Sequence, residues 1–169
     1  MERIERTVLS NLIHNEEYTR RVLPFIKEEY FSDRLEKILF SEIYKFVNKY
    51  NGLPSKEALS IEMNGSKSVN EDEYKKVTDI ISTLNPEPVN MDWLRDTTEK
   101  FCKDRAIHNA ILGGIQIIDG KDKKHTPEYL PEMLSNALSV SFDQKVGHDY
   151  LIETKDRFDF YKKKEERLQ

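Results

Sequence analysis

Apolar positions recur at intervals of three and four along most of this chain, the spacing of helices that bury one face. Ile4, Val8, Leu9, Leu12 and Ile13 predict a first helix over residues 2–14. Asn15 can cap a short second helix, which Pro24 helps to end. Ser32 is the expected cap of a third, with Asp33 in its first turn. Leu35, Ile38, Leu39, Ile43, Phe46, Val47 and Tyr50 give that helix a wide face, expected at the centre of a core. Phe40 and Tyr44 lie off that face. Asn51-Gly52-Leu53-Pro54 stops the helix, since glycine tolerates a left-handed cap and proline cannot continue. Ser55 then caps a short helix to residue 63. Asn70 and Glu73 form a capping-box pattern that opens a helix to residue 84.

Asn85-Pro86-Glu87-Pro88-Val89 is the clearest break, and its two prolines favour an extended connector. A lobe boundary is expected there. A long helix follows over residues 90–119, about 45 Å at about 1.5 Å per residue. Its stripe includes Leu94, Phe101, Ile107, Ala110, Ile111, Ile115 and Ile118. Gly113-Gly114 within it reads either as a close approach of another helix or as a tolerated bend. Gly120 and a charged loop turn the chain, and Thr126-Pro127 starts a helix carrying Tyr129, Leu130, Met133, Leu134, Ala137 and Leu138. The two helices predict an antiparallel hairpin. A two-helix hairpin encloses little core, so its outer apolar residues call for a partner, most simply a second copy of the chain. Residues 141–149 read as a connector. Asp149 can cap a tail helix with Leu151, Phe158, Tyr161 and Leu168 on one stripe. Such a helix alone is marginal in water. Burying those four side chains would contribute roughly 6–12 kcal/mol gross, so docking on another subunit or a following domain is expected. The fold class is therefore all-α: a compact N-terminal lobe (1–85), a long helical hairpin (90–139), and a flexible linker with a linker helix (140–169).

Composition supports helices and narrows the function. Six Gly and six Pro in 169 residues are too few for a turn-rich sandwich. A net charge of -4 argues against nucleic-acid binding by the whole surface and leaves only a local basic patch. A single cysteine excludes an internal disulfide. The N-terminus lacks the charged-then-apolar pattern of a signal peptide, and no run of about 20 apolar residues is present to span a membrane.

The chemistry of common active sites is missing from the pattern. The glycines build no phosphate loop and no dinucleotide fingerprint. His14, His108, His125 and His148 lack ligand spacing. Cys102 sits mid-helix beside Phe101 and reads as a small core residue rather than a nucleophile. Glu16-Glu17 and Glu28-Glu29 are sequence neighbours, which do not face each other on a helix as paired acid and base would. Lys162-Lys163-Lys164 reads as a solvated face before a phosphate contact. Phe25, Tyr30 and Phe31 near Lys27 suggest a stacking platform for bases, with core packing the preferred reading.

The segments "EEYFSDRLEKILFSEIYKFVNKYNGLPSKEAL", "LIHNEEY", "DWLRDTTEKF", "RAIHNA" and above all "ALSVSFDQKVGHDY" resemble the N-terminal region of DnaB-type replicative helicases. Within these the chain is most similar to the helicases of T-even-type bacteriophages. The resemblance implies an N-terminal collar of a hexameric DNA helicase, in a host cytoplasm if phage-encoded. Its work would be subunit pairing, ring assembly, and contact with primase and a helicase loader. It assigns Phe101, Ile107, Ile111, Ile115, Leu130 and Leu134 to the hairpin core or pairing surface. It also assigns Leu151, Phe158, Tyr161 and Leu168 to docking on the motor domain of the neighbouring subunit. ATP and Mg are expected only in that motor, which would lie beyond residue 169. No cofactor, metal or catalytic residue is expected here, and DNA contact should be weak or indirect. The alternative is a stand-alone helical adaptor or helicase loader that binds the helicase or single-stranded DNA.

Overall fold

The computed structural model describes residues 3–142. The tail stripe at Leu151, Phe158, Tyr161 and Leu168, and nearly all of the linker region, lie outside the described residues. Among the described residues the chain is all-α, with seven α-helices and no strand. They are α1 (Ile4–His14), α2 (Glu16–Val22), α3 (Arg34–Tyr50), α4 (Lys56–Asn64), α5 (Glu71–Thr83), α6 (Met91–Ile118) and α7 (Leu130–Leu138). Short 3-10 turns stand at Leu23–Phe25, Glu28–Tyr30 and Pro127–Tyr129. The chain divides into two compact units, one up to Arg105 and one from Ala106, so α6 takes part in both.

Helix starts follow local cap chemistry. Asn15 accepts the Tyr18 N–H, Ser55 the Ala58 N–H and Asn70 the Glu73 N–H, each satisfying an orphan donor of the first turn. The Glu73 carboxylate accepts the Asn70 N–H in return, completing the capping box. Two expectations shift. Asp33, not Ser32, caps α3: its carboxylate accepts the Glu36 N–H at 3.1 Å, so the helix starts one residue later. At the other end Asn51, not Gly52, takes the left-handed conformation, at φ 55°. Asparagine tolerates that region better than most residues. The Arg20 guanidinium donates to both the carbonyl and the side-chain oxygen of Asn51 and holds it there.

The core of the first unit is built on α1, α2 and α3, closed by the first half of α6. Val8, Leu9 and Leu12 of α1, Leu39 and Ile43 of α3, and Leu94 of α6 are fully buried. The buried face of α3 differs from the expected one. Glu36, Leu39, Phe40 and Ile43 face inward at helical spacing, while Tyr50 is exposed. A carboxylate occupies a core position because Arg3 and Arg6 both reach it, Arg6 at 2.8 Å. Phe40 is drawn in by Phe31, whose ring lies 5.2 Å from it and 5.6 Å from Phe101. Tyr30 and Phe31 are thus core residues, as the preferred reading held.

Two further polar contacts hold α6. The Tyr18 hydroxyl meets the Thr98 hydroxyl at 2.6 Å in a buried site, and Thr98 donates in turn to the Leu94 carbonyl. The Arg105 guanidinium donates to the Tyr30 carbonyl at 2.8 Å. Both satisfy groups that burial would otherwise leave costly.

Replacing Glu36 with Ala removes the acceptor shared by two arginines. Because both arginines remain part-exposed, the expected loss is roughly 1–3 kcal/mol in urea denaturation. Glu36→Gln should recover part of it, whereas equal stability of Glu36→Ala and the wild type would show that the cluster contributes nothing.

Burial pushes the Cys102 thiol up to about 12 from its ordinary 9.0, with the nearby Glu99 charge adding to the effect. Burial also pushes the Tyr18 hydroxyl well above its ordinary 10.0, only partly offset by the Thr98 hydrogen bond. Both folded values lie above the unfolded ones, so the unfolded chain loses these protons first as pH rises. The stabilisation is complete below the unfolded values and is lost as pH climbs through the folded ones. Denaturation midpoints should therefore fall steadily from pH 9 upward. Cys102→Ala should flatten the first part of that fall, and an unchanged slope in this variant would contradict the assignment.

Candidate functional site

The second unit holds the hairpin. Its turn begins with a helix stop in which Gly120 takes φ 77°. The Gly120 N–H donates to the Ile117 carbonyl and the Lys121 N–H to the Gln116 carbonyl, the paired bonds of a glycine-terminated helix. Asp122 then organises the loop. One carboxylate oxygen accepts the N–H groups of Lys124 and His125, and the other meets the His125 ring at 3.0 Å. These bonds, the His125 ring contact first, hold the Asp122 carboxyl below the usual carboxylate range. The His125 ring stacks on Tyr129 at 4.3 Å. The chain re-enters helix through the Pro127–Tyr129 turn rather than directly at Thr126-Pro127, and α7 follows with Pro131 in its first turn.

α7 packs back on α6 at the paired glycines. A Cβ built on Gly114 would stand 3.1 Å from Leu130 Cδ2, and one on Gly113 3.6 Å from the Met133 methyl. The close-approach reading of this pair therefore holds at Gly114. Gly113 has ordinary room. Buried positions in the hairpin are few: Ala110, Gly114 and Ile117 on α6, Ala137 on α7, and Phe142 after it.

Larger apolar side chains point outward. Ile111, Ile115 and Ile118 recur at helical spacing on α6, and Leu134 and Leu138 on α7, with exposures from 39% to 68%. Leu112 is exposed beside them. Covering such side chains is favourable by roughly 25 cal/mol per Å² of apolar surface. Of the positions singled out from the sequence, Ile111, Ile115 and Leu134 are on this exposed face, while Ile107 and Leu130 are half-buried. Phe101 lies in the first unit against Phe31. Ile118 and Leu138 belong to the exposed set, and their place in the same helical stripes was the signal for them. Nothing in the pattern marked Leu112.

The other candidate chemistry resolves simply. Cys102 is buried and held as a thiol. Glu16 pairs with Arg20 on the surface. Among the described residues no group of three His, Cys, Asp or Glu side chains could hold a metal. No helix of the described residues is long and apolar enough to cross a membrane.

No family model matches the chain. The chain is similar to a replicative helicase. It is 35% identical, over 93% of its length, to a DnaB-like replicative helicase of Enterobacteria phage T4. The match covers 34% of that protein, its N-terminal part, so the chain spans about a third of the length of the relative it matches. Its likeness is therefore to the N-terminal part of such a helicase, and the described residues that carry it are all-α with an apolar face on a helical hairpin.

Gly113→Ala should stabilise the chain by about 0.5–1 kcal/mol, since a better helix former replaces glycine without a clash. Gly114→Ala should gain less or lose, because Leu130 must shift. Thermal denaturation of the two variants tests this, and equal gains would contradict the close packing at Gly114.

Proposed function

We propose that this chain is the collar segment of a ring-forming replicative DNA helicase, and that two copies pair through the exposed apolar faces of their hairpins. The observation that carries the reading is the outward stripe of Ile111, Ile115 and Ile118 with Leu134 and Leu138 beside a small core of Ala110, Gly114, Ile117, Ala137 and Phe142. A hairpin this thin gains more from a second hairpin than from its own interior. Pairs of copies would then assemble into a hexamer. ATP-driven unwinding, with its ATP and Mg, would belong to the part of such a protein outside the matched third. Contacts with primase, a helicase loader and a neighbouring motor domain follow from the resemblance alone. In that scheme the stripe Leu151, Phe158, Tyr161 and Leu168 would dock on the motor.

Light scattering of the chain across a concentration series tests the pairing. Dimers or higher species are expected, and Ile111→Asp or Ile115→Asp should weaken self-association by at least about tenfold, the cost of burying an unpaired charge. Both positions are exposed, so helix content by circular dichroism should not change. A monomer at every concentration, or association that survives both substitutions, would overturn the pairing.

A further inference from the structure

We propose that residues 150–161, the first turns of the tail stripe, cover the open apolar face of their own hairpin and so hold back its pairing with a second copy. The inference rests on the pairing reading above and adds its regulation. The tail lies outside the described residues, and the hairpin itself points to it as the occupant. Leu130 packs on Gly114. Leu138 stands eight residues further along α7, about 12 Å at about 1.5 Å per residue. That brings the end of α7 level with Ala106, where the second unit begins. Phe142, four residues past α7, is buried and holds the departing chain to this unit. Residues 143–149 then separate it from the stripe and can span up to about 25 Å, ample for a reversal. A helix begun there would run parallel to α6 as the third member of an up-down-up bundle.

Spacing and charge agree with that placement. The exposed Ile111, Ile115 and Ile118 stand five, nine and twelve residues above Ala106. In a helix begun at Tyr150, Leu151, Phe158 and Tyr161 stand one, eight and eleven residues along. Phe158 and Tyr161 thus arrive beside Ile115 and Ile118 with the same interval of three. From Ala106 to Ile118 α6 carries no Asp, Glu, Lys or Arg. Between Pro127 and Leu138 the charged groups are Glu128 and Glu132, both exposed. Arg157 and Lys162 flank the tail stripe on opposite sides and come level with Glu132 and Glu128 to within about one turn. Either orientation of the tail therefore turns a cation toward α7.

The tether favours the tail over a second copy. A segment joined by so short a connector acts at an effective concentration of about millimolar, which a second copy must match to compete evenly. Pairing needs both copies open, so its dissociation constant rises by the inverse of the open fraction once for each copy. The stripe covers one surface at a time. Any surface that takes the tail elsewhere therefore frees the hairpin face for pairing.

The test uses the full chain. Phe158→Asp with Tyr161→Asp should tighten self-association at least about tenfold in sedimentation equilibrium, because the face is then open in every copy. A second variant reads the cover directly: Ile115→Cys with Phe158→Cys, treated at high dilution with a short thiol cross-linker. Cys102 is buried and stays out of the reaction. A cross-link at the mass of one chain is expected. An associating wild type whose Asp variant associates no better, a cross-link only at the mass of two chains, or no cross-link would each overturn the proposal. The pairing reading fails separately: a single-chain cross-link with no variant associating at any concentration overturns pairing and leaves the tail cover in place.

Discussion

Apolar side chains are scarce in this chain: hydrophobic residues make up 37% and charged residues 34%. A compact unit built from that mixture cannot line every inward position with hydrocarbon. It must either seat polar groups in the core with their partners or leave part of its apolar surface for something else to cover. The first unit takes the former course. Glu36, Thr19 and Thr98 are all fully buried: two arginines meet one carboxylate oxygen of Glu36, whose other oxygen has no hydrogen-bond partner, main-chain carbonyls accept from Thr19, and Tyr18 and Leu94 partner Thr98. Such partnered groups add little net stability. Their main effect is geometric, because each bond is satisfied in only one arrangement of the helices.

The hairpin takes the latter course. Where α7 packs on α6, Gly113 and Gly114 permit the close approach of Met133 and Leu130. Ile117 and Leu130 turn toward the contact, while Ile111, Leu112, Ile115, Ile118, Leu134 and Leu138, which could build a thicker core, are exposed. The short-range devices of the turn, the Gly120 stop and the Asp122 bonds to Lys124 and His125, fix the path of the loop without adding apolar burial. The unit is thus locally well specified and sparsely packed, a combination that favours association through the open face.

Most helix starts were legible because cap chemistry is local. Asn15, Ser55 and the Asn70–Glu73 box act over three or four residues, and the sequence displays the whole interaction. The failures are the places where a distant residue decides. Glu36 does not read as a core position because its partners, Arg3 and Arg6, lie about thirty residues away. Phe40 lies off the face that periodicity marks, because nothing local shows that Phe31 will meet it. Choosing between Asn51 and Gly52 for the left-handed cap needed Arg20, from another helix. The hairpin face shows the deeper limit. Periodicity marks apolar residues on a helix but is silent on which of two adjacent stripes is covered, and on α6 both Ala110-Gly114-Ile117 and Ile111-Ile115-Ile118 have the spacing.

That ambiguity has a physical counterpart along α6. In its first half the exposed positions are mostly charged, with Asp92, Asp96, Lys100, Lys103 and Asp104 beside the exposed Trp93. In its second half the exposed positions include Ile111, Leu112, Ile115 and Ile118 beside His108 and Gln116. One continuous helix therefore changes the character of its outer surface where it passes from the first unit to the second. Charged side chains there would have served equally well if the outer face of the hairpin stayed in water, since helix propensity favours lysine and glutamate over β-branched isoleucine. Isoleucine at three successive outward turns lowers intrinsic helix stability slightly and yields nothing while exposed. It becomes favourable only when the surface is covered, so the composition of α6 argues that the hairpin is completed by contact outside itself.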